Sequence, residues 1–439
     1  MDHASPFHQT RTWPLQSRLL DTLSQWRQAP AWRVAFSGGL DSTVLLHVLM
    51  QLAERHSLPP ISAIYIHHGL QAVADAWPEH CRQLCARLGV PLQVVPVQVQ
   101  AGPSLERAAR EARYAAFAAH LKADELLLTA QHRDDQAETL LFRLLRGAGV
   151  RGLAAMPASR ALGPGWLLRP MLDVSRAELE AYAQAHRLHW VEDPSNQSLD
   201  HARNYLRHRV MPLLQQRWPQ ASANMARSAA HLAEARSLLG ELAEGDLLAA
   251  RVMHGWRWLP LPSLDLPALR ALSPARQRNA LRHWLAPLTA LPDSDHWAGW
   301  QALRDAAVDA APYWRLAGGE LHRAGNRLWW LSGGWLEPVS GALAWPQGAT
   351  VLELPGNGQV RLEGEQQGSF EVRYRQGGEI MTLPGRGRRD LKRLLNEAAV
   401  PAFVRSRLPL LYRNGELVAV ANLPQFDAVQ TSLVWAPPA

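Results

Sequence analysis

Three side chains able to hold or move a charge recur at a helical interval. In HRDDQAET, His132, Asp135 and Glu138 stand three residues apart, so on a helix they share one band. An imidazole and two carboxylates in one band can bind a metal or a cationic substrate, or accept a proton. The same residues also read as an acidic first turn complementing a helix dipole, with Asp134 as N-cap. A second constellation is Ser37, Gly38, Gly39, Leu40, Asp41 and Ser42, after apolar 34–36 and ahead of apolar 44–52. Glycines that bring backbone N–H groups to a helix N-terminus make an anion site, and the helix dipole favours the charge. Ser37 and Ser42 add hydroxyl donors. Asp41 would repel a bare phosphate, and it fits if it holds Mg²⁺ bridging acid and phosphate oxygens. The loop is not a Walker A motif, because Asp41 and Ser42, not a lysine, follow the last glycine and leucine.

Arginines supply the positive counterpart. Arg110 and Arg113 fall on one side of the helical stretch SLERAAREARY, with Glu106 and Arg110 at i, i+4 as an ordinary solvated pair. Arg113 could neutralise a phosphate charge. Arg203 and Arg207, also i, i+4, would present one guanidinium face to a phosphate; the simpler reading is a basic helix face. Near the C-terminus, Arg386, Arg388, Arg389, Lys392 and Arg393 cluster. From 386 to 413 there are eight basic residues and two acids, Asp390 and Glu397. Such a stretch suits salt-dependent contact with a phosphate backbone.

The elements that must position these groups alternate. Candidate strands cover 33–36, 61–67, 92–97 and 125–130; candidate helices cover 42–55, 74–88, 104–122 and 134–146. Alternation at this spacing predicts an α/β fold with a doubly wound parallel sheet. Ligands of such sheets sit beyond the strands' carboxyl ends, where 37–42, 67–69 and 131–135 should converge. A first helix is expected from Leu15, Leu19, Leu20 and Leu23. Ser175 caps a helix over 176–186, Asp193-Pro194-Ser195-Asn196 is a turn, and 200–216 reads as a helix that Pro212 kinks. Residues 221–248 and 273–285 read as helices of a separate helical domain. The stretch 289–350 carries several tryptophans, read as core, and little periodicity. From 351 the texture is strand-like with Gly and Pro punctuation and one short helix, a small α+β domain. The division drawn is 1–217, 218–345 and 346–439.

The chain has 439 residues, of which 47% are hydrophobic, enough for two to four packed domains. No run approaches the ~18 apolar residues of a membrane span, and the start lacks a signal peptide's apolar core. A cytoplasmic protein with no membrane partner is expected. Two cysteines, Cys81 and Cys85, exclude a disulfide framework and a four-cysteine metal site within one chain. At i, i+4 on a helix they read as buried apolar residues, away from the strand ends. Net charge is +7, and 44 of the 46 basic residues are arginines, Lys122 and Lys392 being the lysines. Arginine forks onto phosphate and stacks on bases, so a nucleic acid is a reasonable partner.

SGGLDS after an apolar strand resembles the PP-loop of the ATP pyrophosphatases, which split ATP between the α and β phosphates and adenylate an acceptor. Further motifs narrow the resemblance: HHGL at 67–70, SLERAAREARY at 104–114, HRDDQAET at 132–139, RGAGVRGLAAM at 146–156, LLRPML at 167–172 and EDPSN…RNYLRHRV at 192–210. In that order they resemble the tRNA(Ile)-lysidine synthetase family, and GRRDLKRLLNEAAVPAFVRSRLPLLY resembles its tRNA-binding C-terminal domain. Gln71 and Met171 are small departures, standing where a basic residue and Leu are usual. The resemblance implies a ligase acting on the wobble cytidine of the CAU-anticodon isoleucine tRNA, with ATP, Mg²⁺ and free L-lysine, giving lysidine. It implies that Ser37, Gly38, Gly39, Leu40, Asp41 and Ser42 hold ATP, with Asp41 on the metal. His132, Asp135 and Glu138 would receive lysine, Arg113 and Arg203 would stabilise phosphate, and the C-terminal basic residues would bind tRNA. Asp135 is the expected proton acceptor. A homodimer is left open. A tRNA thiolase would need a catalytic cysteine pair or an iron–sulfur cluster; a non-catalytic RNA-binding protein would not need Asp41, Asp135 and Glu138 intact.

Overall fold

A computed structural model describes residues 15–69, 75–99, 105–251, 256–291, 295–307, 310–364, 368–428 and 431–438. The chain forms two compact units, Met1–Ser237 and Leu238–Ala439.

In the first unit, α1 (Leu15–Leu23) precedes β1 (Trp32–Ala35), α2 (Leu40–Ala53), β2 (Ile61–His67), α3 (Trp77–Leu88), β3 (Leu92–Pro96), α4 (Leu105–His120), β4 (Leu126–Leu128) and α5 (Arg133–Leu144). Then come α6 (Val150–Leu153), the hairpin β5 (Ser159–Leu162) and β6 (Gly165–Leu168), and α7 (Arg176–Ala185). The sheet runs β3-β2-β1-β4-β6-β5, parallel except for the edge strand β5. Val34 in β1 stands opposite Ala63 in β2 and Leu128 in β4, all buried. The chain goes from β1 to β2 on one side and returns to β4 on the other. That reversal opens a crevice at the carboxyl ends of β1 and β4. Helix α2 buries Leu40, Val44, Leu45, Leu46, Val48, Leu49 and Leu52, so nearly its whole circumference is core. The short strand 125–130 of the sequence reading shrinks to three residues, but each expected strand and helix of this part is present.

The segment expected as one helix over 200–216 is instead three pieces: α8 (Ala202–Tyr205), a π-helical turn (Leu206–Val210) and α9 (Met211–Arg217). Pro212 lacks the N–H that would bond the fourth residue back, and its ring crowds that carbonyl. A wider turn accommodates both defects without a sharp break. Helix α10 (Ala221–Ala250) follows, and the boundary between the two units falls within it.

In the second unit, β7 (Ser263–Asp265), α11 (Leu266–Arg270), α12 (Pro274–Leu285) and α13 (Ala298–Asp305) pack with β8 (Tyr313–Leu316), β9 (Gly319–Ala324) and β10 (Arg327–Ser332). The strands form a sheet in the order β7-β10-β9-β8, which the sequence reading did not contain. Trp284, Trp297, Trp300, Trp314 and Trp330 lie in this core, as expected of the tryptophans. The remainder holds β11 (Ala342–Ala344), β12 (Val351–Glu353), β13 (Gln359–Gly364), β14 (Phe370–Arg373), β15 (Ile380–Leu383), β16 (Gly387–Asp390), α14 (Leu391–Glu397), α15 (Ala402–Arg405), β17 (Leu410–Arg413), β18 (Glu416–Val420) and β19 (Thr431–Ala436). Its sheets run β11-β14-β17-β18 and β12-β13-β19, with β15-β16 as a separate hairpin. Among the described residues no helix is long and apolar enough to cross a membrane.

Candidate active site

Residues 37–39 turn from β1 into the N-terminus of α2. Gly38 has φ +78°, and a Cβ there would lie 2.9 Å from the Cys81 sulfur and 3.1 Å from Val191. Glycine is therefore required both for the left-handed backbone and for the contact. The loop is knotted by hydroxyls. Ser42 Oγ is 3.1 Å from Ser37 Oγ, accepts from the Ser37 N–H at 3.2 Å and donates to the Gly39 carbonyl at 3.0 Å. Val191 N–H donates to the Gly38 carbonyl at 2.9 Å. Leu40 is 3% exposed, so its side chain belongs to the core and leaves only its backbone for a ligand.

The cysteine expectation needs one correction. Cys81 is buried and free, as read, but it does not lie away from the strand ends: it packs directly beneath Gly38. Burial and the neighbouring Cys85 push its thiol up to about 12, so it has no reactive thiolate at neutral pH.

His132 is the N-cap of α5, where Asp134 was expected. Its Nδ1 accepts the Asp134 N–H at 3.2 Å, while its own N–H donates to Asp135 Oδ2 at 3.1 Å, a reciprocal capping box. With Nδ1 accepting, the ring proton of the neutral imidazole sits on Nε2. That nitrogen lies 3.6 Å from Asp135 Oδ2 and 3.8 Å from Asp41 Oδ2. His132 thus stands between the nucleotide-type loop and the carboxylate band. Asp134 instead accepts the backbone N–H of Arg176 at 2.8 Å, tying the start of α7 to the start of α5.

Arg176 was not singled out from the sequence. Its Nη1 donates to both oxygens of Asp41, at 2.8 and 2.9 Å, and its Nε donates to Glu180 at 2.9 Å. The only local signal was the capping box of Ser175 and Glu178, which fixes Arg176 as the first residue of α7. Burial pushes the Asp41 carboxyl above its ordinary value, although His132 and Arg176 pull the other way.

Arg203 and Arg207 meet carboxylates in this structure, not a phosphate. Arg203 donates to Asp135 at 2.9 Å and Glu138 at 3.0 Å; Arg207 donates to Asp135 at 2.8 Å and Glu138 at 2.6 and 2.9 Å. Two carboxylates at i, i+3 face two guanidiniums at i, i+4, closing a square of charge-assisted hydrogen bonds. Both acids are buried. Burial alone would raise Asp135; His132, Arg203, Arg207 and the backbone bond outweigh it and hold the carboxyl below its ordinary value. Asp41, His132, Asp135 and Glu138 therefore form one continuous polar run across the crevice.

Arg113 lies on the neighbouring side of the sheet edge. Its Nε donates to His68 Nε2 at 3.1 Å, just past β2. Arg110 does not accompany it; its guanidinium lies over the Tyr114 ring. Nor does Arg110 pair with Glu106, whose carboxylate lies 3.6 Å from His201. In the second unit, Arg386, Arg388, Arg389, Lys392 and Arg393 are all exposed on and around the β15–β16 hairpin and α14. Arg386 and Arg393 share Glu397, at 2.9 and 3.2 Å.

Comparison with known proteins covers most of the chain. Residues 12–214 match a family profile described as a PP-loop domain. Residues 264–329 match one described as the TilS substrate binding domain, and 370–433 one described as the TilS substrate C-terminal domain. A tRNA(Ile)-lysidine synthase of Pseudomonas fluorescens is 64% identical over 414 residues, 94% of each chain. One of Pseudomonas aeruginosa is 62% identical over 432 residues, 97% of this chain and 98% of the relative. One of Shigella flexneri is 41% identical over 405 residues, 89% of this chain and 91% of the relative.

Proposed function

We propose that this chain, which belongs to the tRNA(Ile)-lysidine synthase family, joins free L-lysine to C2 of the wobble cytidine of the CAU-anticodon isoleucine tRNA. ATP is consumed, and lysidine, AMP and pyrophosphate are formed. The observation that carries this reading is the unbroken run from Asp41 through His132 to Asp135 and Glu138. It supports the reading because His132 links the loop's Asp41 to Asp135 through contacts of 3.8 and 3.6 Å.

In the first step the cytidine O2 attacks the α-phosphorus of ATP, and the bond to the β-phosphate oxygen breaks to release pyrophosphate. Ser37, Gly38, Gly39, Leu40 and Ser42 hold the phosphates through backbone N–H groups and hydroxyls. Asp41 would hold Mg²⁺. Both Asp41 oxygens now accept from Arg176, which would have to give way to the ion; a lone carboxylate beside a phosphate loop suits Mg²⁺, which commonly takes one or two carboxylates and completes its shell with phosphate oxygens and water. When bound, the ion would neutralise charge on the phosphates. Arg113 supplies a further positive charge on the same edge, and Arg203 does so once it exchanges its carboxylates for phosphate.

In the second step the ε-amine of lysine attacks C2, the C2–O bond breaks, and AMP leaves. His132, Asp135 and Glu138 receive the cationic groups of lysine, as they now receive two guanidiniums. A lysine ammonium has an ordinary pKa near ~10.4 and must lose a proton to attack. Asp135 accepts it once lysine has displaced Arg203 and Arg207, which now hold its carboxyl low. The catalytic part is 1–217, with 218–345 and 346–439 engaging tRNA; the exposed Arg386, Arg388, Arg389, Lys392 and Arg393 are its phosphate contacts.

Asp135→Asn tests the lysine site. We expect one equivalent of pyrophosphate to be released with tRNA and ATP, while lysine transfer falls by about 100-fold or more, the usual range for loss of a positioned acid–base group. Lysidine formation at the wild-type rate would remove Asp135 from this role.

A further inference from the structure

Six residues outside this chemistry form their own cluster. Tyr114 on α4 has two guanidinium carbons, those of Arg110 and Arg160, each 4.9 Å from its ring centroid. Its hydroxyl accepts from Arg110 Nη2 at 3.5 Å, and Arg169 is a further charged neighbour. Arg169 is only 4% exposed; its Nη1 donates to the Pro157 carbonyl at 2.7 Å, and its Nε has no partner among the described residues. Arg143 on α5 donates its Nη1 to the Gly152 and Ala155 carbonyls at 2.7 and 2.9 Å and has Arg110 and Arg236 as like-charged neighbours.

Burial would raise the Tyr114 phenol, yet Arg110, Arg169 and Arg160 hold it below its ordinary value. The charges that bear on Arg143 and Arg169 are those of other arginines and of this phenol. Local acids are not scarce, since Arg107, one turn from Arg110, pairs with Glu111 at 2.7 Å. Gathering like charges, one of them buried, costs free energy unless an anion completes the set.

Placement says which anion. Arg169 directly follows β6, a strand parallel to β4, and Arg110 is in the first half of α4, which follows β3. Both therefore lie at the carboxyl edge of the sheet that also carries the 37–42 loop and His132. The arginines come from α4, α5, α10, β5 and the residue after β6. Four guanidiniums reach the surface, those of Arg110, Arg143, Arg160 and Arg236, with Arg169 buried behind them; so spread, they exceed what one small anion neutralises and suit a run of singly charged phosphates.

We infer that the arginine cluster around Tyr114 grips successive backbone phosphates of the RNA strand that presents the target base to this sheet edge. The inference rests on the RNA-modifying function proposed above.

The test uses the full chain and unmodified tRNA, with binding measured between 50 and 200 mM salt. Arg110→Gln combined with Arg160→Gln should weaken binding roughly tenfold at mid-range salt. The slope of log affinity against log salt should become shallower by about 1.4–1.8, two phosphate contacts at ~0.7–0.9 each. Arg236→Gln, a change on a separate helix, should lower the slope by about half as much even if the double variant folds poorly. ATP affinity should not move in either variant. Salt slopes parallel to wild type would overturn the inference, as would weakened ATP binding with tRNA binding intact, which would mark a small-anion site. Lysidine formation by the wild-type chain, read in parallel, bears on the enzymatic reading alone.

Discussion

His68 shows how far a single side chain can set a measurable property. It accepts the Arg113 Nε at its own Nε2, so its imidazole is neutral. Burial, then Arg113 and His67, push its pKa from 6.5 down to about 4. Between those values the unfolded chain binds a proton that the folded chain refuses, so stability falls as pH drops from about 6.5 towards 4. We predict that His68→Gln, which keeps an acceptor for Arg113 and removes the titration, flattens melting temperature against pH in that window. Parallel curves for the two proteins would refute this. Asp135 acts in a lower window: its carboxyl is held below the ordinary range, so its contribution is present above about 3.9 and is lost on further acidification. The residue types of the acidic band were legible in HRDDQAET. Their partners were not, because Arg203 and Arg207 lie 65 to 72 positions away and Arg176 lies 135 from Asp41. Such pairings are set by the fold, and no local spacing encodes them.

At the scale of elements, the turn from β1 into α2 is the most constrained feature. Gly38→Ala must place a Cβ at φ +78° and against the Cys81 sulfur at 2.9 Å. A left-handed alanine costs roughly 1–2 kcal/mol, and the close contact adds to it. We predict a lower melting temperature together with weakened ATP binding, and only partial recovery on adding Cys81→Ala, since the backbone penalty remains. Full recovery would mean that the sulfur contact alone made glycine necessary. The strand–helix alternation of the first unit was readable because each parallel strand is a short apolar run bounded by helices of the other period. The sheet at 313–332 was not. In β10, Leu328, Trp329, Trp330 and Leu331 are all buried, so both faces are covered and the period-two signal disappears. The π-helical turn escaped for another reason: Pro212 announced a defect but not whether the helix would kink or widen.

On the scale of the whole molecule, the groups proposed to contact phosphate lie in both units. The first holds the 37–42 loop and the Tyr114 arginines; the second holds exposed Arg388, Arg389 and Lys392. We predict that changing these three to Gln lowers the salt slope of tRNA binding by about 2.1–2.7, three contacts at ~0.7–0.9 each, without altering ATP affinity, and an unchanged slope would remove them from the RNA contact. The measurement that bears most directly on the central claim is mass spectrometry of nucleosides from isoleucine tRNA incubated with the full chain, ATP and isotopically labelled lysine. The account predicts that one cytidine per tRNA becomes a lysine adduct carrying the label, with one AMP and one pyrophosphate formed per adduct. A tRNA whose cytidines all remain unmodified while ATP is still cleaved would contradict it.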